Sequence, residues 1–329
     1  MQKVYINGSS VAVINSAQLD TTEQWIKINL PKIDSAVIPP AATRRMSKAV
    51  KMGIICGLEA MRQADCPNPD GILVGTGKGC LVDSDKFLKA IGEQKEDFLS
   101  PTAFIQSTHN TVAGQIALLT KNSGYNMTYS QGRISFESAA LDAYIQLTMN
   151  EQVSLLVGAV DELSDISIEI NQAIDKDQIN DTKDIQTEGA GFFVFSNQKD
   201  SHALGELKDI DIYRNTADHT SEKQIGEFLK RNQLTINQID TIIYSSTTVE
   251  APFSTGSPIL EKINKIKYNS QTGIFDTDIV FAFDLALKRL NDQTFSTSIS
   301  LNEGKIQHDQ NILICNFGEQ NSLMLLSRC

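Results

Sequence analysis

VSLLVGAVDEL, residues 153–163, and GAGFFVFS, residues 189–196, are short apolar runs in which polar side chains do not alternate with apolar ones. A strand with one wet face would alternate, so both runs read as strands covered on both faces. Such strands belong to sheets layered with helices. The same pattern extends outward. VYINGSSVAVI near the N-terminus reads as strand, turn, strand. Between Arg44 and Arg62, Met46, Val50, Ile54, Leu58 and Met61 recur at helical spacing. GILVGTG (Gly71 to Gly77) is a short strand ending in glycines, and FESAALDAYIQLTM after Ser135 is a helix rich in small residues. A hydrophilic stretch over 167–187 reads as a surface excursion. Past residue 200 the pattern restarts, with strands over 203–212, at IDTIIYSS, ILICNF and SLMLLSR, and helices over 222–232 and 279–291. Two rounds of strands and helices predict a duplicated α/β architecture with mostly parallel sheets, one half at 1–200 and the other at 201–329.

Composition narrows the function. The 329 residues are 41% hydrophobic and 21% charged, an ordinary globular balance. A net charge of −11 disfavours nucleic acid and anionic membrane surfaces as partners. No apolar stretch approaches the roughly 20 residues of a membrane span, and no secretory signal is visible, so the expected compartment is the cytoplasm. Cys56, Cys66, Cys80, Cys315 and Cys329 are odd in number and irregularly spaced, which argues for reduced thiols. Cys80 and Cys315 read as small core residues. His109, His202, His219 and His308 are far apart, with no i, i+4 pair, so no metal site is expected, and no cofactor either.

Two motifs tempt and fail. GILVGTGKGC resembles a phosphate loop, but five residues separate Gly71 from Gly77 and Gly79 follows Lys78, where a P-loop requires four and a hydroxyl residue. No GxSxG elbow is present for a serine hydrolase. The dyads Asp161–Glu162 and Glu222–Lys223 read as solvated charges.

Residues 100–145, SPTAFIQSTHNTVAGQIALLTKNSGYNMTYSQGRISFESAALDAYI, resemble the β-ketoacyl synthases of fatty-acid and polyketide assembly. The segment with Ser107, His109, Asn110, Ala113 and Gly114 is similar to a short, divergent branch found in aryl-polyene and flexirubin-type pigment clusters. Further fragments follow the family's order: RRM (44–46), GTGKGCLVDSDKFL (75–88), GAVDEL (158–163), TEGAGFFVF (187–195), SQTG (270–273) and NFG (316–318). The resemblance implies a thiolase-like duplicated fold, two mixed five-stranded sheets layered with helices (αβαβα). It also implies a cysteine nucleophile at the start of a buried helix, whose N-terminus lowers the thiol pKa, and two histidines that promote decarboxylation and stabilise the oxyanion.

This chain departs from that pattern at each position. Aligned without gaps, Arg133 stands where the family has its cysteine; a shifted register brings Glu137 there instead, and no cysteine lies between 81 and 314. Ser245 and Ile274 fall on the two histidines, and Asn269 on the lysine of the second histidine motif. The loop that gates the acyl pocket in the family is reduced to Phe317-Gly318-Glu319-Gln320. Arginine is permanently charged and no nucleophile, and serine without an adjacent base is a poor acid. No catalytic residue is therefore expected, and His109, Asn110, Glu137 and Phe317 remain as candidates for a pocket or an interface. Arg133 could hold a carrier's phosphopantetheine, bridge to a partner or pair locally; His109 could be an interface or a structural histidine.

Two functions are open. One is a chain-length-factor-like subunit that shapes the cavity shared with a cysteine-bearing ketosynthase, or with a second copy of itself. The acyl carrier protein, acidic in this family, would then dock on the partner. The other is an acyltransferase or hydrolase of altered chemistry that uses Glu137, His109 or Ser130.

Overall fold

A computed structural model describes the chain except for residues 1, 15–17, 20, 22, 32, 34–37, 39, 45, 95–98, 100, 176–184, 217–219, 247–262 and 292–308, so His219 and His308 lie outside the described residues. The first half carries β1 (Val4–Ala12), α1 (Pro40–Thr43), α2 (Lys48–Gln63), β2 (Gly71–Gly75), α3 (Leu81–Gln94), α4 (Pro101–Gln106), α5 (Thr111–Thr120), β3 (Tyr125–Tyr129), α6 (Ser135–Thr148), β4 (Ser154–Asp161), α7 (Asp165–Asp175) and β5 (Gly189–Ser196). The second carries β6 (Gly205–Tyr213), α8 (Ser221–Arg231), β7 (Thr241–Ser246), β8 (Asn264–Lys267), α9 (Asn269–Thr272), α10 (Ile279–Leu290), β9 (Asn311–Phe317) and β10 (Asn321–Ser327).

The strand order is β3-β2-β4-β5-β1-β6-β10-β9-β7-β8. Read outward from the centre, each half has the same sequence of first, fifth, fourth, second and third strand, as a duplicated fold requires. The halves join edge to edge where Val4, Tyr5 and Ile6 pair with Leu207, Glu206 and Gly205. The expectation of mostly parallel sheets is corrected. Only β2–β3, β2–β4, β7–β8 and β7–β9 are parallel, and the central pairings are antiparallel. A connection as tight as Gly318–Gln320 between β9 and β10 leaves room only for a hairpin, which is antiparallel.

Alternation along the strands builds the layers. Leu73, Leu155, Val157, Phe193 and Phe195 share a cluster with Ile243, Ile312, Ile314 and Met324 of the second half, and α6 and α10 lie within it. Phe283 of α10 is its hub, with ring centroids 5.5 Å from Phe136 and 4.8 Å from Phe193. The intervening residues, among them Ile72, Val74, Leu156 and Phe192, face outward under α2 and α5. In the second half Ile242, Leu313, Cys315, Leu323 and Leu325 pack with α8. Helix, sheet, helix, sheet and helix thus alternate, and each apolar strand is covered twice.

Three local expectations change. β1 is one continuous strand, because its central glycine marks a crossing and not a turn: a Cβ on Gly8 would lie 2.2 Å from the Ala60 carbonyl oxygen of α2. α2 begins at Lys48, since the Ser47 hydroxyl caps it by accepting from the Val50 amide at 3.3 Å. Part of the hydrophilic stretch is helical, as α7, with Ile166 and Ile170 on its exposed face. Polar composition hid the helix. Gly8→Ala should destabilise the chain by about 1–3 kcal/mol in urea unfolding. Gly114→Ala on α5, where an added Cβ meets nothing within 4 Å, should stabilise it by about 0.5–1 kcal/mol.

Candidate functional site

The site begins at the N-terminus of α6. Gly132 to Ile134 form one tight turn before the helix, and Ser135 pins that turn to the end of β2. Its hydroxyl donates to the Thr76 carbonyl at 3.0 Å and the Gly132 carbonyl at 2.7 Å, and accepts from the Gln131 amide at 2.8 Å. So anchored, Arg133 reaches into the second half. Its Nη2 donates to Ser245 Oγ, at the end of β7, at 3.3 Å, and to Asp278 Oδ1 at 3.3 Å. The Tyr268 hydroxyl donates to the same Asp278 oxygen at 3.1 Å.

Asp278 is fully buried and immediately precedes α10. Burial pushes its carboxyl up to about 6, against the Arg133 charge and the Tyr268 hydrogen bond. For Arg133, burial works against the charged form, but the nearby Asp278 and Asp276 charges outweigh it and hold the guanidinium charged. Tyr268, raised far above its ordinary range by burial and by Asp278, serves as a donor only. Arg133 is paired within the chain, not locally but across the two halves, with Asp278 as its counter-ion. Nothing in the sequence singled out Asp278 or Tyr268, which lie 145 and 135 positions away from Arg133 in the chain.

Of the other two positions singled out from the sequence, Asn269 follows Tyr268 directly and is buried, its Oδ1 without a partner among the described residues. Ile274 offers only backbone groups: its amide donates to the Ile185 carbonyl at 2.8 Å, and its carbonyl accepts from the Thr187 amide at 2.9 Å. Gly273 makes that turn at a φ of 67°, where a Cβ would also strike Thr187 Cγ2 at 2.4 Å. The backbone turn is present without a side chain that could carry a proton.

The dyad Asp161–Glu162 is corrected from solvated to buried. Asp161 Oδ1 accepts from Thr76 Oγ1, the Gly77 amide and the Lys78 amide at 3.0, 2.9 and 3.1 Å, and Oδ2 accepts from Thr277 Oγ1 of the second half at 2.8 Å. Burial and the nearby Asp276 charge push its carboxyl up to about 7. The amides of the glycine-rich turn that a phosphate would need thus already face a carboxylate of the chain itself. Glu162 bridges two helix starts, accepting from the Ala49 amide of α2 at 2.8 Å and the Val82 amide of α3 at 3.0 Å.

Glu137 and Phe317 are separated by strand register. Ile312, Ile314 and Asn316 of β9 point to the centre, and Leu313, Cys315 and Phe317 point outward, so Phe317 is buried in the layer under α8. Asn316 is the residue that meets Glu137, donating from Nδ2 to Oε1 at 3.0 Å; Ser322 Oγ of β10 donates to the same oxygen at 2.9 Å. His109 and Asn110 are exposed before α5, with Gly79 close against the His109 ring, so a structural, hydrogen-bonded role for His109 has no bond to rest on among the described residues. Glu137 is fully buried and Ser130 exposed, and no hydrogen bond joins Glu137, His109 and Ser130 among the described residues.

These features define a thiolase-like α/β protein whose duplicated halves meet at a buried ionic cluster. Residues 17–174 match the β-ketoacyl synthase N-terminal domain. That segment is similar to the β-ketoacyl synthases, and the ketosynthase fold extends over the whole length of the chain. No curated protein matches it by sequence. Among solved structures it is similar to the type II polyketide synthase complex AntDE:AntF, an acyl-carrier protein with its ketosynthase bound to the hexaketide, at 17% identity and a TM-score of 0.78 over all of both chains. It is also similar to a β-ketoacyl synthase from Burkholderia phymatum STM815, at 14% identity and a TM-score of 0.71 over all of both chains. A third similar structure is the ketosynthase ApeO in complex with its chain length factor ApeC from Xenorhabdus doucetiae, at 13% identity and a TM-score of 0.70, covering 100% of this chain and 98% of that one. No helix among the described residues is long and apolar enough to cross a membrane.

The ionic cluster generates two expectations. Arg133→Met leaves Asp278 buried without its cation and should cost about 3–5 kcal/mol, much of it restored in the double variant with Asp278→Asn; a double-mutant cycle reads the coupling. Asp161, Glu137 and Asp278 bind protons more tightly folded than unfolded, their folded values being about 7, about 7 and about 6. The stability this confers is full below the unfolded carboxyl values of about 4 and lost as pH rises through the folded ones, so the melting temperature should fall between about pH 4.5 and about pH 7.5.

Proposed function

We propose that this chain is the chain-length-factor-like partner of a cysteine-bearing ketosynthase in type II polyketide or fatty-acid assembly, with polyene pigments as its product class, and contributes no nucleophile of its own. The observation that carries the reading is the Arg133–Asp278 ion pair, at the place where the family's alignment puts a nucleophilic cysteine. Arg133, Ser245, Asn269 and Ile274 would be the degenerate positions. A guanidinium cannot attack a thioester, and Ser245 accepts a hydrogen bond from that guanidinium, with no carboxylate or imidazole hydrogen-bonded to its hydroxyl among the described residues. The division into halves at 1–200 and 201–329 belongs to the same reading and is supported by the repeated strand order.

The surface supports a partner. β3 ends the sheet, so its outer edge is unpaired among the described residues. Around it Leu118 of α5, Met127 of β3, Ile145 of α6 and Met149 are exposed, at 72%, 40%, 46% and 65%. Uncharged side chains on an open strand suit pairing with another chain, and the exposed His109 and Asn110 are candidates for its margin. With a net charge of −11, two copies of this chain repel each other, which favours a different, less acidic ketosynthase subunit.

Co-expression with a cysteine-bearing ketosynthase encoded beside this chain should give a stable heterodimer, weakened by Met127→Asp. Condensing activity of that pair should vanish when the partner's cysteine is replaced and survive Ser245→Ala here. A covalent acyl adduct on the isolated chain, or carbon dioxide released by it from malonyl carrier protein, would refute the proposal.

A further inference from the structure

We propose that Glu137 is held as a neutral carboxylic acid whose Oε2–H is donated to Asn316 Oδ1, closing a cyclic acid–amide pair that clasps α6 to the base of the β9–β10 hairpin. Two atoms point to it. Glu137 Oε2 and Asn316 Oδ1 are both buried and both without a hydrogen-bond partner among the described residues, although the two groups are already joined through Oε1 and Nδ2 at 3.0 Å. If Glu137 were ionised, both orphans would be acceptors left without a donor among the described residues. One proton on Oε2 satisfies both at once, and leaves Oε1 as the carbonyl oxygen that accepts from Asn316 and Ser322.

The surrounding charges agree. From its own helix Glu137 faces Arg133, whose guanidinium is 3.3 Å from Asp278. Behind that pair lies Asp276, bridged to Lys78 at 3.5 Å. From the end of β8 it faces the un-ionised Tyr268, and from β9 and β10 only the neutral Asn316 and Ser322. The nearby cations therefore already have carboxylate partners, and burial pushes the Glu137 carboxyl up to about 7.

The clasp has a mechanical consequence. Asn316 and Ser322 are paired across the ladder and are the first such pair after the turn, so Glu137 grips both strands of the hairpin at its base. Loss of the proton turns one side of that grip into two facing acceptors, and the hairpin loosens from α6. This device is independent of the partner-subunit reading.

Infrared difference spectroscopy of the wild type against Glu137→Gln reads the proton directly. A protonated-carboxyl carbonyl band is expected in the wild type at about pH 6, missing from the variant and titrating away near the value of about 7. Hydrogen exchange at residues 318–322, corrected for intrinsic rates, should become about tenfold faster from about pH 6 to about pH 8.5 in the wild type. It should stay flat in Glu137→Gln, whose amide can replace the acid in the same ring. Should that variant fold poorly, Asn316→Ala should shift or abolish the band. A carboxylate signal from Glu137 at about pH 6, a band unmoved by Asn316→Ala, or the same exchange profile in Glu137→Gln, overturns the proposal.

Discussion

A guanidinium from one half of the fold meets a fully buried carboxylate from the other, and much of the chain's interior is arranged around that meeting. Arg133 precedes the central helix α6, and Asp278 precedes the central helix α10. Both helix N-termini carry partial positive charge, and Arg133 adds a full one. Asp278 is the anion that answers all three. Remove Arg133 and the fully buried Asp278 is left charged in an apolar layer, where water cannot compensate it. The pair therefore acts as a bolt between the halves.

On the proposed register, this placement ties the departures from the family pattern together. A cysteine at the start of α6 would draw on the helix N-terminus to become a thiolate, and a histidine would share its proton. With arginine at that point, a neighbouring histidine would meet a like charge, whereas a serine hydroxyl can accept a hydrogen bond from it. Ser245 does so. The Gly273 turn is present because it shapes the backbone, even though Ile274 after it has nothing to donate. Scaffold and chemistry have separated within a single segment.

The other buried acids follow the same logic of internal compensation. Asp161 gathers the amides of the glycine-rich turn and a threonine from the opposite half. Glu162 steadies the starts of two helices, and Glu188 receives the Lys48 ammonium with the Ile28 and Leu163 amides. These carboxyls replace water for backbone donors that the layered architecture would otherwise bury unsatisfied.

The sequence by itself determined the class of fold, because uninterrupted apolar runs such as 153–163 and 189–196 can be covered only in a layered structure. It also raised the expectation that the family's nucleophile and histidines are replaced, because residue identity alone decides whether an acid, base or thiol is available. It could not decide which side chains meet. Asp278 and Tyr268 carry no local signal, and their role arises only when β7, β8 and α10 converge on α6. Asp161 and Glu162 look like solvated charges because adjacent acids usually are; burial is a property of the packed layers. Phe317 drew attention where Asn316 holds the position, since alternation along β9 sends neighbouring residues to opposite faces and only the pairing with β10 fixes which face is which. Local pattern is written along the chain. Charge compensation between residues more than a hundred positions apart is decided by tertiary structure alone.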